Sequence, residues 1–412
     1  AIPQGTVKSR LSFGRDRMRK GMDDMEHYDV RSYRPVRLSI SNSGSGGMAG
    51  EPASLAENDL IAQNLLYLAY EKPLTETELA RAIGVPAAYV EPILERLVEG
   101  GLMAGSGDRF YTDFILYTRE DRERYLPEQK EFIARWFREI WKPYERFFGE
   151  LRETEAYQRM SAVRRDALEL FGFFSIFDHG SYRAFSEAFK AEQIFPDRPN
   201  GGRWIALGHV DTGEAPAEAE AHRYCYGGQN NICLDHYLDA KSIRMSLFYP
   251  EGFPIRRFTN GEDGIREEQL IKLLYIIESG ADVRRSGFEE RYLRSIPWLV
   301  ECNVLHYEDN KPKLSIPVFS GAEIRAFDSL VAAAQAELAE ILRAPLKEYM
   351  KGKKKPIPAH LKSVPLQKQY LYSDNAMLMI ALRMAMEKGL MRDGGYDKGV
   401  QPPCPMLFLI EK

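Results

Sequence analysis

The sequence predicts a mainly α chain with a small β component. This is an α+β protein assembled from winged helix-turn-helix modules and a helical, α+β C-terminal portion. Three observations predict it. Apolar residues recur at three- and four-residue spacing through long stretches such as "LIKLLYIIESG" and "EIRAFDSLVAAAQAELAEIL", the period of a helix face. Alternating stretches are short, and they surround turn signals at 105–108 (Gly-Ser-Gly-Asp) and at Asp309–Asn310, which is how a hairpin reads. Hydrophobic content is 44%, with 21 Phe and 22 Tyr, enough to build cores.

The chain has 412 residues, more than one ordinary domain, so roughly two to four are expected. Its formal net charge is −4. Bulk charge therefore does not draw it to nucleic acid, and any such contact must come from a local patch. No apolar run approaches the ~20 residues that span a bilayer. The basic first residues lack the apolar core of a secretory signal. Four cysteines do not make a disulfide scaffold and fit a reducing compartment. The expectation is a cytoplasmic protein with no membrane partner.

Residues 1–26 form the first segment. Pro3 and Gly5 in "IPQG" make a turn. From 5 to 22 the spacing of Val7, Leu11, Gly14 and Met18 places them on one face of a helix. Lys8, Ser9, Ser12, Arg15, Asp16 and Arg19 cover much of the rest. Residues 1–22 hold six Lys or Arg against one acid, a net of +5. Such a helix suits the major groove, its N-terminal residues reaching base edges and its arginines holding phosphates. The plainer reading is a solvated basic helix.

The wording of this stretch, "IPQGTVKSRLSFGRDRMRK", resembles the end of region four of bacterial RNA polymerase sigma factors of the extracytoplasmic-function type. Pro3, Gly5, Thr6, Val7, Lys8, Ser9, Arg10, Leu11, Arg15 and Arg17 carry the likeness, over about twenty residues of the chain. The resemblance implies recognition of a −35 promoter element. Lys8, Ser9, Ser12 and Phe13 would face bases. Thr6, Arg10 and Arg15 would face the backbone, and Arg17 would belong to the basic tail. It also implies RNA polymerase core as a partner of the full-length protein. On this reading the sequence is the C-terminal part of a longer chain, since the polymerase-binding region and the first half of the helix-turn-helix would lie upstream.

Residues 27–54 are expected to be a flexible linker, with Gly and Ser dense between 41 and 52. Residues 55–120 read as a winged helix-turn-helix. Leu60, Ile61, Leu65 and Leu68 face inward on the first helix. Thr75 and Glu78 have capping-box spacing, and Gly84 ends the second helix. Val90, Ile93, Leu94 and Leu97 mark the third, and a hairpin wing follows. Residues 55–118 carry ten acids and four bases, so this face repels phosphate and the module reads as a protein-contacting or structural one, with DNA binding as the alternative.

Residues 121–262 read as an aromatic-rich α+β domain, either a packed helical core or an aromatic pocket for an apolar effector. Within it, "HRYCYGGQNNICLDH" contains His222, Cys225, Cys233 and His236. Four such ligands around a Gly-Gly turn suit tetrahedral zinc. They also suit a strand-turn-helix with unrelated polar residues, and the reading adopted assigns no cofactor. "LGHVDTGE" resembles the metal-binding strand end of zinc aminoacylase-type peptidases, which would make His209 and Asp211 ligands. The further acids and distant histidine of that family have no counterpart here.

Residues 263–320 read as a second winged-helix-like unit, with one helix continuing through "FEERYLRSIPWLVECNVL". Residues 321–412 read as C-terminal helices with a basic loop. Residues 343–368 hold eight bases and one acid, a solvated connector or a phosphate contact. The chain has no phosphate-binding loop, nucleophile elbow or dinucleotide fingerprint, so the expectation is not an enzyme. The reading that collects these features is a DNA-binding transcription regulator of sigma-factor type, with promoter DNA as partner. One alternative is a regulator that senses a small molecule or a protein, with a vestigial N-terminal helix. A second is a zinc-dependent hydrolase.

Overall fold

A computed structural model describes residues 14–15, 35–46, 55–56, 58–189, 197–198, 201–211, 229–248, 267–352, 357–361, 376–392 and 403–412. The secondary structure is mostly helical with a minority of strands, an α+β mixture as the sequence predicts. The chain divides into two compact units. One comprises Ala1–Arg124, Lys190–Pro216 and Lys351–Asp374; the other comprises Tyr125–Phe189, Ala217–Met350 and Asn375–Lys412.

The first unit begins with β1 (Arg37–Gly46), so that residues 37–46 of the stretch 27–54 expected as a flexible linker are a strand, held by pairing with residues 202–211. Asp59 caps α1 (Leu60–Leu68), its carboxylate accepting from the Ala62 amide at 3.0 Å. β2 (Leu74–Thr75) leads into α2 (Glu76–Ile83) through the capping box expected at Thr75 and Glu78. Gly84, at φ 81°, ends that helix in the left-handed region. α3 (Ala87–Glu99) follows, then β3 (Met103–Ser106) and β4 (Arg109–Thr112), giving a sheet of order β2-β4-β3. Leu65, Leu66, Leu79, Val90, Leu94 and Leu97 fill the space between the three helices.

α1 is turned differently from the sequence expectation. Ala62, Gln63, Asn64, Leu65 and Leu66 are buried, while Leu60 is 45% exposed. The reason is polar. The Asn64 side chain accepts from the Val36 amide at 2.9 Å and donates to the Val36 carbonyl at 3.0 Å. Gln63 accepts from the Leu38 amide at 3.0 Å and donates to the Ala56 carbonyl at 2.9 Å. Backbone groups that would otherwise be buried unpaired thus find partners. After the hairpin come β5 (Ile115–Tyr117) and the long α4 (Arg119–Glu153), whose residues from Tyr125 onward belong to the second unit. β6 (Gly202–Asp211) is central, antiparallel to β1 and parallel to β5. Gly208 is where the layers pinch: a Cβ there would meet Leu116, Phe114 and Leu38 side-chain atoms at 2.2, 2.9 and 3.2 Å.

The second unit contains α5 (Glu155–Arg159), α6 (Ala162–Phe189), β7 (Gln229–Tyr237) and β8 (Ala240–Phe248). Then come α7 (Glu267–Ser279), α8 (Glu290–Leu293), α9 (Ile296–Glu301), β9 (Leu305–Glu308) and β10 (Lys311–Leu314). β11 (Val318–Phe319), α10 (Gly321–Gly352), α11 (Met377–Glu387) and β12 (Met406–Glu411) complete it. The single helix expected across 288–305 is broken at Ser295, with Pro297 in the first turn of α9; a proline there has no amide to continue the preceding turn. The hairpin turn falls at Asp309 and Asn310, both at positive φ (50° and 60°), as a two-residue turn of this type requires.

The aromatic residues of 126–189 pack on one another. Tyr144, Phe173, Phe174 and Phe177 are at most 1% exposed, and the Tyr144 hydroxyl donates to the Phe173 carbonyl at 3.2 Å. Phe327 of α10 and Phe248 of β8 join the same cluster. The described rings therefore form core.

One layout occurs twice, displaced by about 200 residues. It runs strand, helices, hairpin, short strand, long helix, central strand. The first copy is built from β1, α1 to α3, β3–β4, β5, α4 and β6, with α4 passing from the first unit into the second at Tyr125. The second copy is built from β8, α7 to α9, β9–β10, β11, α10 and β12. β12 is antiparallel to β8 and parallel to β11, as β6 is to β1 and β5. Small devices repeat as well. Leu102 donates to Leu97 and Asp113 to Leu102, while Val304 donates to Leu299 and Ser315 to Val304. Asp121 accepts from the Thr118 amide at 3.1 Å, and Glu323 from the Ser320 amide at 2.8 Å. No helix among the described residues is long and apolar enough to cross a membrane.

Candidate functional site

Of the residues the sequence assigns to DNA, Thr6, Lys8, Ser9, Arg10, Ser12, Phe13 and Arg17 lie outside the described residues. Gly14 and Arg15 are helical and exposed, and a Cβ added to Gly14 would find nothing within 4 Å.

The third helix of the first module offers a poor surface for phosphate. Its exposed residues are Ala88, Tyr89, Pro92, Glu95, Arg96 and Glu99. Arg96 is taken up by Asp59 at 2.5 Å, and Arg109 of the hairpin by Glu78 at 3.0 Å and the Pro73 carbonyl at 3.1 Å. In the second unit the corresponding α9 has only 6 residues, under two turns.

The second unit holds a groove of about 630 Å³. Its floor is apolar, made by Met160, Leu314, Phe319 and Ile410. Ser161 and Arg164 enter from the start of α6, and His306, Glu308 and Lys313 from the hairpin. Ser320 and Glu323 come from the start of α10, and Lys412 from the end of the chain. Arg164 grips Glu278 with both terminal guanidinium nitrogens, Nη1 at 3.2 Å and Nη2 at 2.7 Å, and its Nε donates to the Leu314 carbonyl at 3.1 Å. Both side chains are about a quarter exposed (23% and 25%), so this fork is less screened than a surface pair.

Arg159 meets Glu323 at 2.9 Å. Burial would raise the Glu323 carboxyl, but the Ser320 amide and hydroxyl (2.8 and 2.7 Å) and Arg159 outweigh it and hold the group below its ordinary range. Lys412 pairs with Asp239 at 3.0 Å. Asp239 also accepts from the Tyr275 hydroxyl, and these two bonds keep its carboxyl low. His306 Nδ1 lies 3.0 Å from the Ser315 hydroxyl. Lys313 has no ion-pair partner among the described residues. The Ser-x-x-Glu spacing at 320–323 was readable as a helix cap. The Arg164–Glu278 pairing had no local signal, because the partners are 114 residues apart.

Two of the candidate zinc ligands, His222 and Cys225, lie outside the described residues. Cys233 is exposed on β7, and His236 sits at φ 51° beside the turn into β8. The segment after the Gly-Gly is thus a strand entering a hairpin rather than the strand-turn-helix of the alternative reading. Among the described residues no group of three or more His, Cys, Asp or Glu side chains gathers as a metal site. His209 is 4% exposed within β6, its ring 6.3 Å from that of Tyr117. Compared with protein-family models, curated proteins and solved structures, the chain matches none of them.

Proposed function

We propose that this protein is a DNA-binding transcription regulator of sigma-factor type. Its N-terminal segment engages a −35-like promoter element, and its two repeated modules, read as winged helices, receive a regulatory input. The observation that carries the reading is the run from Pro3 to Arg17, where the recognition-helix wording coincides with a net charge of +5 over residues 1–22. The acidic face of α3 supports it indirectly by leaving the first module without a rival phosphate surface. On this reading Lys8, Ser9, Ser12 and Phe13 meet base edges, while Thr6, Arg10, Arg15 and Arg17 hold the backbone. RNA polymerase core is the protein partner on this reading, and the chain acts by binding, without a catalytic step.

The test is binding of the chain to a promoter duplex over a range of salt. Lys8→Ala with Arg10→Ala is expected to weaken binding by about tenfold or more and to lower the salt slope by about one for each phosphate no longer neutralised. An unchanged affinity and slope would refute the reading. A sensing role is favoured by the groove of the second unit.

A further inference from the structure

The duplication supplies a comparison for the groove. The two hairpins align at their bases, where Met103 pairs with Thr112 and Leu305 with Leu314. Lys313 therefore stands where the first copy has Tyr111. The stretches "LLYLAYE" (65–71) and "LLYIIES" (273–279) put Glu278 where the first copy has Tyr70. In the first unit this place is filled. Tyr70 is 5% exposed, and the Tyr111 ring lies 4.9 Å from the ring of His360. His360 belongs to the short segment 357–361, in which Pro358 and Leu361 are also buried. In the second unit charged side chains replace both tyrosines, and the groove of about 630 Å³ is open.

We propose that this groove binds a small organic anion, a carboxylate or phosphate carried on an apolar body, with Lys313 as its charge partner. The volume lies within the roughly 300–1,000 Å³ of small-molecule sites. The charges decide the sign of the ligand. Glu278 and Glu323 are neutralised by Arg164 and Arg159. Glu308 stands directly opposite Lys311 in the hairpin register, and Lys313 opposite His306. Neither Glu308 nor Lys313 has an ion-pair partner among the described residues; the lining as a whole carries four cations (Arg159, Arg164, Lys313, Lys412) against three carboxylates (Glu278, Glu308, Glu323), and the Lys313 ammonium stands across the hairpin from the His306 ring. The starts of α6 and α10, helices of 28 and 32 residues, lie at the rim. Their dipoles add a modest attraction for negative charge, but Ser161 already accepts from the Arg164 amide and Ser320 already donates to Glu323, so they supplement the lysine. The floor of Met160, Leu314, Phe319 and Ile410 calls for an apolar body on the same molecule.

This inference stands apart from the promoter reading, because it is tested on the protein without DNA. The experiment is calorimetric titration of the whole chain with 1-naphthyl phosphate, 1-naphthoate and neutral 1-naphthol. At least one of the two anions is expected to bind one-to-one, at least tenfold tighter than the alcohol, with affinity falling as salt rises. The tighter of the two identifies the head group. Lys313→Glu should weaken that anion at least tenfold, and Lys347→Glu, an equal charge change at an exposed position outside the groove, should leave it unchanged. If Lys313→Glu lowers the melting temperature so far that titration is impracticable, Lys313→Gln reads the same loss at several-fold. Failure of both anions to bind, equal binding of the alcohol, or indifference to Lys313 overturns the proposal.

Discussion

Gln63 and Asn64 occupy positions that a hydrophobic-period argument reserves for apolar side chains, yet they are 7% and 1% exposed. They are buried because β1 runs beside α1 and needs partners for Val36 and Leu38. Replacing Asn64 with Leu would leave the Val36 amide and carbonyl without these bonds, at a cost of about 1–3 kcal/mol. Leu60→Ser, on the exposed side of the same helix, should change stability by no more than about 0.5 kcal/mol. Urea unfolding of the two variants measures the contrast, and equal losses would contradict this hydrogen bonding. The sequence could not reveal this, since the partners lie 25 and 28 residues away and an amide carries no apolar periodicity. His360 makes a second residue-scale case. Burial lowers its pKa despite the opposing attraction of Asp113 and Glu71. A histidine held neutral in the fold contributes fully above its unfolded pKa of about 6.5, and that contribution is lost as pH falls through the lower folded value. Acidification below ~6.5 should therefore cost the wild type more stability than His360→Phe, whose melting curve should shift less between pH 7.5 and 5.5.

At the scale of elements, the legible parts were those whose cause is local. α2 begins and ends where Thr75, Glu78 and Gly84 say it should, because a capping box and a left-handed terminator act within a few residues. α10 and α11 followed their apolar stripes, and the hairpin turn at Asp309–Asn310 followed from two residues that tolerate positive φ. The break between α8 and α9 had a local signal in Pro297, against which the apolar period ran on; the strand character of β7 had none, because it rests on pairing with β8. Two hydroxyl residues placed just before helices allow a comparison. Thr75→Ala should cost roughly 1 kcal/mol. Ser320→Ala should cost more than that, because its hydroxyl shares the Glu323 carboxylate with Arg159 and because its removal loosens a wall of the groove. Chemical denaturation gives both values, and a smaller loss at Ser320 would argue that the Glu323 cluster is not coupled.

At the scale of the whole chain, charge and duplication point the same way. The second copy of the layout is recognisable in the sequence only through short echoes such as "LLYLAYE" and "LLYIIES". What persists between the copies is register and capping, which tolerate nearly any side chain of the right polarity, so a repeat of this length leaves little trace in residue identity. The divergence includes Tyr111 against Lys313 and the buried Tyr70 against the half-buried Glu278, where the two copies place side chains of opposite polarity. Charge is equally uneven. Residues 1–34 contribute eight cations and five acids to a total of −4, so residues 35–412 carry −7. A body of that charge gains nothing from counterion release unless a local patch overrides it. Removal of residues 1–34 should therefore abolish promoter-duplex binding at every salt concentration, while leaving the melting temperature and the naphthyl-anion affinity of the remainder intact. Restoring the segment with Lys8, Arg10, Arg15 and Arg17 changed to Gln should fold equally well and still fail to bind. Binding that survives the deletion would move the DNA-binding surface elsewhere, and the basic stretch 343–368, eight cations against one acid, would be the next surface to neutralise.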